Sequence, residues 1–474
     1  MKNTKISRRE LAKVGVGAFA VTALASMPMK SRAQEPGGDR PCDEDSLLGA
    51  GVEKTYTFLH SMMDAYAQGT TLRLIQSYSD QMGLESSSFV YDNAVVINAL
   101  LERGDHANLQ RARVLGESLL YAQARDSSGD GRVRQAYFVN QADANGAFLQ
   151  PALAPFYFIG STTGDMSWVG LALAQLFART GERQFLNGAV RLGQWIVKNT
   201  SSTNGAGGFT AGVDASNNPL TYKSTEHNID VFALFTLLAR LTGDNSWASQ
   251  ARSARTFIQA MFNTAGDFFW TGTLGDGATI NTNPIPEDVN TWSFLALQDE
   301  TFAVSVDWAK TNLAVTDTPQ SFNNSVAGNK VRISGISYTN FAQHPPIANN
   351  DFVASDPFST PPNPNSVWLE GTAHVAAALR ARNLPAGRDL PGFSGDRNTA
   401  GFLLQNILGA QATQGAGQTC AGQPLPPGAG VTAASSELNT GFGFSYKPFL
   451  HIGATGWFAI AAQAGNPFIY AAGR

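Results

Sequence analysis

Two kinds of helical pattern alternate along the chain. The first is amphipathic. Phe185, Leu186, Ala189, Val190, Gly193, Ile196 and Val197 share one stripe at 3.6-residue spacing, while Arg183, Asn187, Arg191, Gln194 and Lys198 fall largely on the other side. Such a helix packs on one face and is wetted on the other. The same pattern predicts outer helices over 44–67, 106–124, 245–263, 301–314 and 394–409. The second kind is apolar on nearly every side and opens at a small polar-aromatic cluster. The first copy is Tyr91-Asp92-Asn93-Ala94, running into Val95. The second is Asp165-Met166-Ser167-Trp168 and the third Thr225-Glu226-His227-Asn228. The fourth is Glu287-Asp288-Val289-Asn290-Thr291-Trp292 and the fifth Trp368-Leu369-Glu370-Gly371-Thr372. The sixth is His451-Ile452-Gly453-Ala454-Thr455-Gly456-Trp457. A spacing of roughly 60 to 85 residues is long for a solenoid and suits hairpins with elaborate loops.

The connections are asymmetric. Inner helices pass to outer ones through short turns such as Thr180-Gly181-Glu182 and Leu241-Thr242-Gly243-Asp244. The return connections are long, as over 125–164 and 315–365, and loops of that length usually carry function. Each long loop enters an inner helix at its N-terminus, so all of them gather on one face. They are rich in aromatics: Tyr137, Phe138, Phe156, Tyr157, Phe209, Tyr222, Phe268, Phe269, Trp270, Tyr338, Phe352, Phe442, Phe444 and Tyr446.

Six outer and six inner helices predict an all-α fold, an (α/α)6 barrel or toroid of six helical hairpins. In architecture and cluster placement, over roughly residues 44–465, the chain resembles the six-hairpin glycosidase superfamily. That resemblance implies a glycoside hydrolase. Related toroids include polysaccharide lyases and sugar epimerases. A helical array that only binds a glycan or peptide is the alternative from another class.

Composition adds constraints. With 43% hydrophobic and 15% charged residues in 474, the chain can bury a large core. Ser7-Arg8-Arg9-Glu10-Leu11-Ala12-Lys13 is a twin-arginine pattern, followed by a mildly apolar stretch from Val14 to Met27 and a cleavage-like Ser31-Arg32-Ala33. The expected organisation is a signal peptide over 1–33 and a single toroid domain over 34–474. The protein would be periplasmic or secreted, with no membrane attachment after cleavage. The leader carries seven basic residues and one acidic one. Without it, 33 Lys and Arg fall to 26 and 37 Asp and Glu to 36, a net of −10. That balance argues against nucleic acid and disfavours strongly anionic polymers. Cys42 and Cys420 are either a disulfide tying the N-terminal arm to a late loop or two free thiols. No cofactor or metal is expected. Asp126-Ser127-Ser128-Gly129-Asp130-Gly131 resembles a calcium loop but lacks the bidentate Glu, so it reads as a polar turn. Gly205-Ala206-Gly207-Gly208 reads as a flexible loop.

The candidate chemistry sits at the inner-helix starts. Asp92, Asp165, Glu226, Asp288 and Glu370 come from five of the six hairpins, with Asp230 one turn inside the third helix. Helix-dipole complementation accounts for one or two such acids, and Asp165 suits a cap. A carboxylate beside an indole also suits a sugar site, although a Trp near a helix start is more often core. Glycoside hydrolysis needs two carboxyl groups, and the resemblance implies inversion. Glu226 is the first choice for the acid, because it precedes a largely apolar helix that would hold its proton. Asp165, Asp288 or Glu370 supplies the base, a choice that ring geometry decides. Tyr91, Asp92, Trp168, Tyr222, His227, Asp230, Trp270, Trp292 and Trp368 are expected to bind an oligosaccharide or polysaccharide that is neutral or weakly charged. His227 reads as structural, as a sugar ligand or as a base. A lyase would draw on Tyr222, His227 and Asn228. An epimerase would need two facing histidines among His227, His374 and His451.

Overall fold

A computed structural model describes residues 44–151, 158–319, 331–344, 361–382 and 393–470, all within one compact unit, Asp43–Arg474. Residues 1–33 and Cys42, together with Phe156, Tyr157 and Phe352, lie outside the described residues. Among the described residues, twelve α-helices alternate as the pattern predicts. The outer ones are α1 (Glu44–Asp64), α3 (His106–Arg125), α5 (Arg183–Thr200), α7 (Asn245–Ala260), α9 (Ala303–Asn312) and α11 (Asp396–Thr413). The inner ones are α2 (Val90–Arg103), α4 (Thr163–Thr180), α6 (Thr225–Thr242), α8 (Asp288–Leu297), α10 (Leu369–Ala381) and α12 (Ile452–Ala462). Each inner helix packs on the next, and α12 packs back on α2, so the ring closes. The last hairpin joins the two ends of the fold, because α1 packs on α12. This is an (α/α)6 toroid. Among the described residues, no helix is long and apolar enough to cross a membrane.

The short turns have a common chemistry. Gly104, Gly181 and Gly243 end α2, α4 and α6 at φ 65°, 73° and 72°, each returning its N–H to a carbonyl of the last turn. That left-handed conformation costs glycine little and other residues more. An acidic residue follows in each case, Asp105, Glu182 or Asp244, and two of these cap the next outer helix through the side chain.

At the opposite end, each inner helix begins with a polar staple. Asn93, Ser167, Asn228, Asn290, Thr372 and Thr455 are fully buried. Each donates to the backbone carbonyl four residues back: Phe89, Thr163, Ser224, Pro286, Trp368 and His451. Five of the six also accept a backbone N–H from the incoming long loop. The donors are Ile75, Phe209, Phe269, Ile336 and Val431, at 2.8–3.0 Å. On α4 the neighbouring Met166 Sδ takes that place and accepts from Val133 N–H. Each loop is thereby fixed to the helix it enters, and a buried strand-like segment finds partners away from water. The glycine loop at 205–208 is fixed as well. Lys223 Nζ donates to Asn204 O and Gly207 O at 2.6 and 2.7 Å, which corrects its reading as flexible.

Removing one staple should be costly. Asn290→Ala leaves the buried Phe269 N–H without its acceptor and is expected to lower stability by about 1–3 kcal/mol in denaturant unfolding. Gly401→Ala is the control: its added methyl meets nothing within 4 Å. That change should leave stability unaltered or raise it by up to about 1 kcal/mol. Equal midpoints for the two variants would contradict the staple.

Candidate active site

The staples set a register for the ring. Two residues before each staple stand Tyr91, Asp165, Glu226, Asp288, Glu370 and Gly453, on α2, α4, α6, α8, α10 and α12 in turn. Four of these six positions are acidic, and Asp92 adds a fifth carboxylate one residue along. The sixth position has to be glycine. A Cβ on Gly453 would lie 2.7 Å from Asp92 Oδ1 and 3.0 Å from Glu370 Oε2. Those two oxygens are therefore closer than about 6 Å, nearer the spacing of a retaining pair than of an inverting one.

The carboxylates divide into two halves. On the α10–α12–α2 side they are tied together. His451, the N-cap of α12, places Nε2 3.2 Å from Asp92 Oδ1 and Nδ1 3.5 Å from Glu370 Oε2. Tyr91 donates its hydroxyl to Glu370 Oε1 at 2.5 Å and accepts from Trp457 Nε1 at 2.9 Å. Tyr78 stacks flat on the His451 ring, with centroids 4.2 Å apart. Burial acts to strip the His451 proton, but Asp92 and Glu370 outweigh it and raise the imidazole pKa above its usual 6.5. Burial lifts Glu370 to about 7, against the lowering effects of His451 and Tyr91.

On the α4–α6–α8 side the carboxylates face one another without an ion-paired cation among the described residues. Burial raises Asp165 to about 7, opposed by its hydrogen bond with Thr162. Burial also raises Asp288 to about 7, opposed by the Val289 N–H. Glu226 stands well above the usual range through burial, then repulsion from Asp288, Asp165 and Glu370. Asp230 is raised the same way, by burial and then by Glu226, Asp288 and Asp165. It is fully buried, and neither of its oxygens has a hydrogen-bond partner among the described residues. The Trp168 indole faces it outside hydrogen-bonding geometry.

Beneath this layer, two residues after each staple, come Val95, Val169, Asp230, Trp292, His374 and Trp457. They form the floor. Trp168 packs edge-on against Trp292 and Trp457, and Phe468 closes against all three. Trp168 and Trp292 are therefore floor residues, 1% and 2% exposed, rather than the open sugar platforms expected from their positions. Trp368 is likewise covered, by Tyr338 at 4.4 Å and by a stacked Tyr446 at 6.1 Å. The half-buried rings that line the mouth are Phe89, Tyr91, Phe444 and Tyr446, of which only Tyr91 belonged to the expected binding set. The signal of Phe444 and Tyr446 was available, since both lie in the aromatic-rich long loops. A cavity of about 260 Å3 opens here, lined by Tyr91, Asp92, Asp165, Phe158, Phe444 and Tyr446 among others.

Other expected residues fall elsewhere. Trp270 packs edge-on against Phe268 and hands its carbonyl to Thr225. Tyr222 accepts the Ala211 N–H through its carbonyl, in the loop before α6. His227 lies against the Gly164 backbone, and burial lowers its pKa to about 4. Asn228 is a staple, so its amide is not available to neutralise a uronate carboxylate in a lyase. His374 has no exposed surface and bonds Glu287 at 3.0 Å, so it faces the floor and not a substrate. Asp126 and Asp130, in the calcium-like turn, are taken by Arg134 and Arg132. Cys420 is a buried free thiol with a pKa pushed up to about 12 by burial. Among the described residues, no group of three His, Cys, Asp or Glu side chains is arranged to hold a metal ion.

Similar architecture occurs in solved glycosidases. An alpha-mannanase of glycoside hydrolase family 76 from Bacteroides thetaiotaomicron superposes with a TM-score of 0.54 at 9% identity, covering 89% of this chain and 98% of that one. A family 76 glycoside hydrolase from a bovine strain of Bacteroides thetaiotaomicron gives 0.53 at 10% identity, covering 87% and 76%. A glycosidase variant in complex with glucose gives 0.51 at 12% identity, covering 90% and 99%. Likeness at this level carries the toroid fold. No protein-family model matches the chain, and no curated protein matches it by sequence.

The crowded acids have a measurable cost. Where folding raises an acid's pKa, the unfolded chain ionises first as pH rises. Stability is therefore full below the unfolded value and lost upward through the folded one. For Asp165 that window runs from 3.8 to about 7. Asp165→Asn should match the parent near pH 4 and exceed it by a few kcal/mol, to order of magnitude, at about pH 7.5. Denaturant unfolding at both pH values checks this, and a gap that does not widen with pH would contradict the shift.

Proposed function

We propose that the protein is a glycoside hydrolase acting on an oligosaccharide or polysaccharide, with Glu226 as general acid and Glu370 as general base. One observation carries the reading. Six carboxyl groups gather at one end of the ring, with Glu226 raised well above its usual range and Glu370 raised to about 7 between His451 and Tyr91. On the unpaired side, burial and like charge keep the Glu226 proton in place near neutral pH. On the paired side, His451 and Tyr91 stabilise and orient the Glu370 carboxylate. An acid and a base held apart by environment are what glycosidic cleavage uses. The toroids of similar architecture that are themselves glycosidases support the same reading.

In the proposed step, Glu226 gives its proton to the glycosidic oxygen. The bond from that oxygen to the anomeric carbon breaks, and the electron pair leaves with the oxygen. Glu370 takes a proton from a water whose oxygen bonds to the anomeric carbon from the opposite face. The products are a hydroxyl on the leaving sugar and a reducing end of inverted configuration. Asp92 is too close to Glu370 to leave a water between them, which favours Glu226 on α6 as the partner across the mouth.

Release of reducing ends from a glycan panel tests the pair. Glu226→Gln and Glu370→Gln should each lower kcat by about 10²–10⁴. Proton NMR of the first product should show the inverted anomer. Full activity in Glu226→Gln would remove it from the role, and a retained anomer would replace the base with a nucleophile.

The twin-arginine pattern and the apolar stretch behind it support export as a folded protein. Changing Arg8 and Arg9 together to lysine should leave the chain unprocessed in the cytoplasm. Normal export of that variant would sink the route.

A further inference from the structure

We propose that the sugar bound in this mouth carries a free amine, so that the substrate is an amino-sugar glycan rather than a neutral or N-acylated one. The inference rests on reading the mouth as a glycan site and deepens it. Its first support is Asp230. In the floor layer the ring places Val95, Val169, Trp292, His374 and Trp457, and α6 alone contributes a carboxylate. Asp230 lies one turn below Glu226 on the same helix, fully buried, with both oxygens unpartnered among the described residues. It faces Glu226, Asp288 and Asp165, each of which raises its pKa by repulsion. No arginine or lysine among the described residues makes an ion pair with any of the four. The nearby cation, His451, is engaged by Asp92 and Glu370 on the other side.

The occupant's chemistry follows from the donors it must supply. Several carboxylates converge, and among the described residues they are not grouped to hold a metal ion. A primary ammonium fits that arrangement. It offers one charge and three N–H donors in different directions, which a hydroxyl or a quaternary amine cannot. The tyrosine rims point the same way. Tyr338 and Tyr446 stand beside Asp288, Glu226 and Glu370, and aromatic faces next to carboxylates are a recurring cation seat. The ammonium would sit against Glu226 and Asp288 with Asp230 beneath, and its charge would favour release of the protons that burial holds on these groups. It would also draw the Glu226 acid down from far above its usual range toward one in which it can transfer its proton.

Calorimetry on the full mature chain tests this, with short oligomers of glucosamine and galactosamine, their N-acetyl counterparts, and mannose oligomers. Reducing-end release is measured in parallel. The amino oligomers should bind at least about tenfold tighter than the N-acetyl forms at low salt, and the advantage should shrink as ionic strength rises. Asp230→Asn should remove most of that advantage. The salt dependence of the parent protein keeps the test alive if the variant fails to fold. Equal or weaker binding of the amino oligomers, or none at all, overturns the inference. Cleavage of mannose or N-acetyl oligomers with no preference for amines would overturn it and leave the hydrolase standing. Selective amine binding without any cleavage would do the reverse.

Discussion

Every inner helix of this toroid begins where two sets of backbone groups compete for partners away from water. The loop entering each helix brings a buried N–H that needs an acceptor away from water. Five of the six staples accept that N–H and donate to the carbonyl four residues back with one short side chain, and on α4 Met166 accepts beside Ser167. An asparagine does this with an amide that accepts from the loop and donates to the helix, as at Asn228 with Phe209 and Ser224. A threonine does it with one hydroxyl, as at Thr372. The described loop segments that enter the inner helices are thereby tied to them.

The positions of the acids depend on that fastening. A residue two before the staple stands at the rim of the ring, and four hairpins place a carboxylate there. Six converging helix N-termini also supply a positive field from their dipoles, which partly offsets the repulsion. The offset is incomplete, because burial and mutual repulsion still raise Asp165, Glu226, Asp230, Asp288 and Glu370. Stability is given up for a cluster of carboxyl groups held above their usual range, a pattern typical of sites built for proton transfer or ligand charge. Gly453 shows how tight the arrangement is, since any side chain there would collide with Asp92 and Glu370.

The indoles serve this arrangement indirectly. Trp168, Trp292 and Trp457 fill the centre of the ring beneath the carboxylates and exclude water from below. The dry floor is what makes the carboxyl protons hard to remove. The rings carried on the loops, Tyr338 and Tyr446, rest on Trp368 above that floor.

The helical alternation, the boundaries of the outer helices and the clustering of acids at one end could all be read from the chain. Each follows from local periodicity and from the rule that an all-apolar helix must be buried. Glu226 could also be singled out, because a lone acid before an apolar helix has few environments open to it. Three things could not be read. Trp168 beside Asp165 looks the same in sequence whether it faces a sugar or the ring centre, since one residue of helical rotation decides it. Asn228 read as a lyase candidate because its partner lies in a loop 19 residues away, and only folding brings the Phe209 N–H within reach. The division of the acids into a half tied by His451 and a half left facing itself depends on which helices become neighbours when the ring closes. Sequence alone determined which residues carry charge and which helices are buried. Tertiary structure decided which charges meet, because electrostatic coupling depends on distances across the ring that no local pattern encodes.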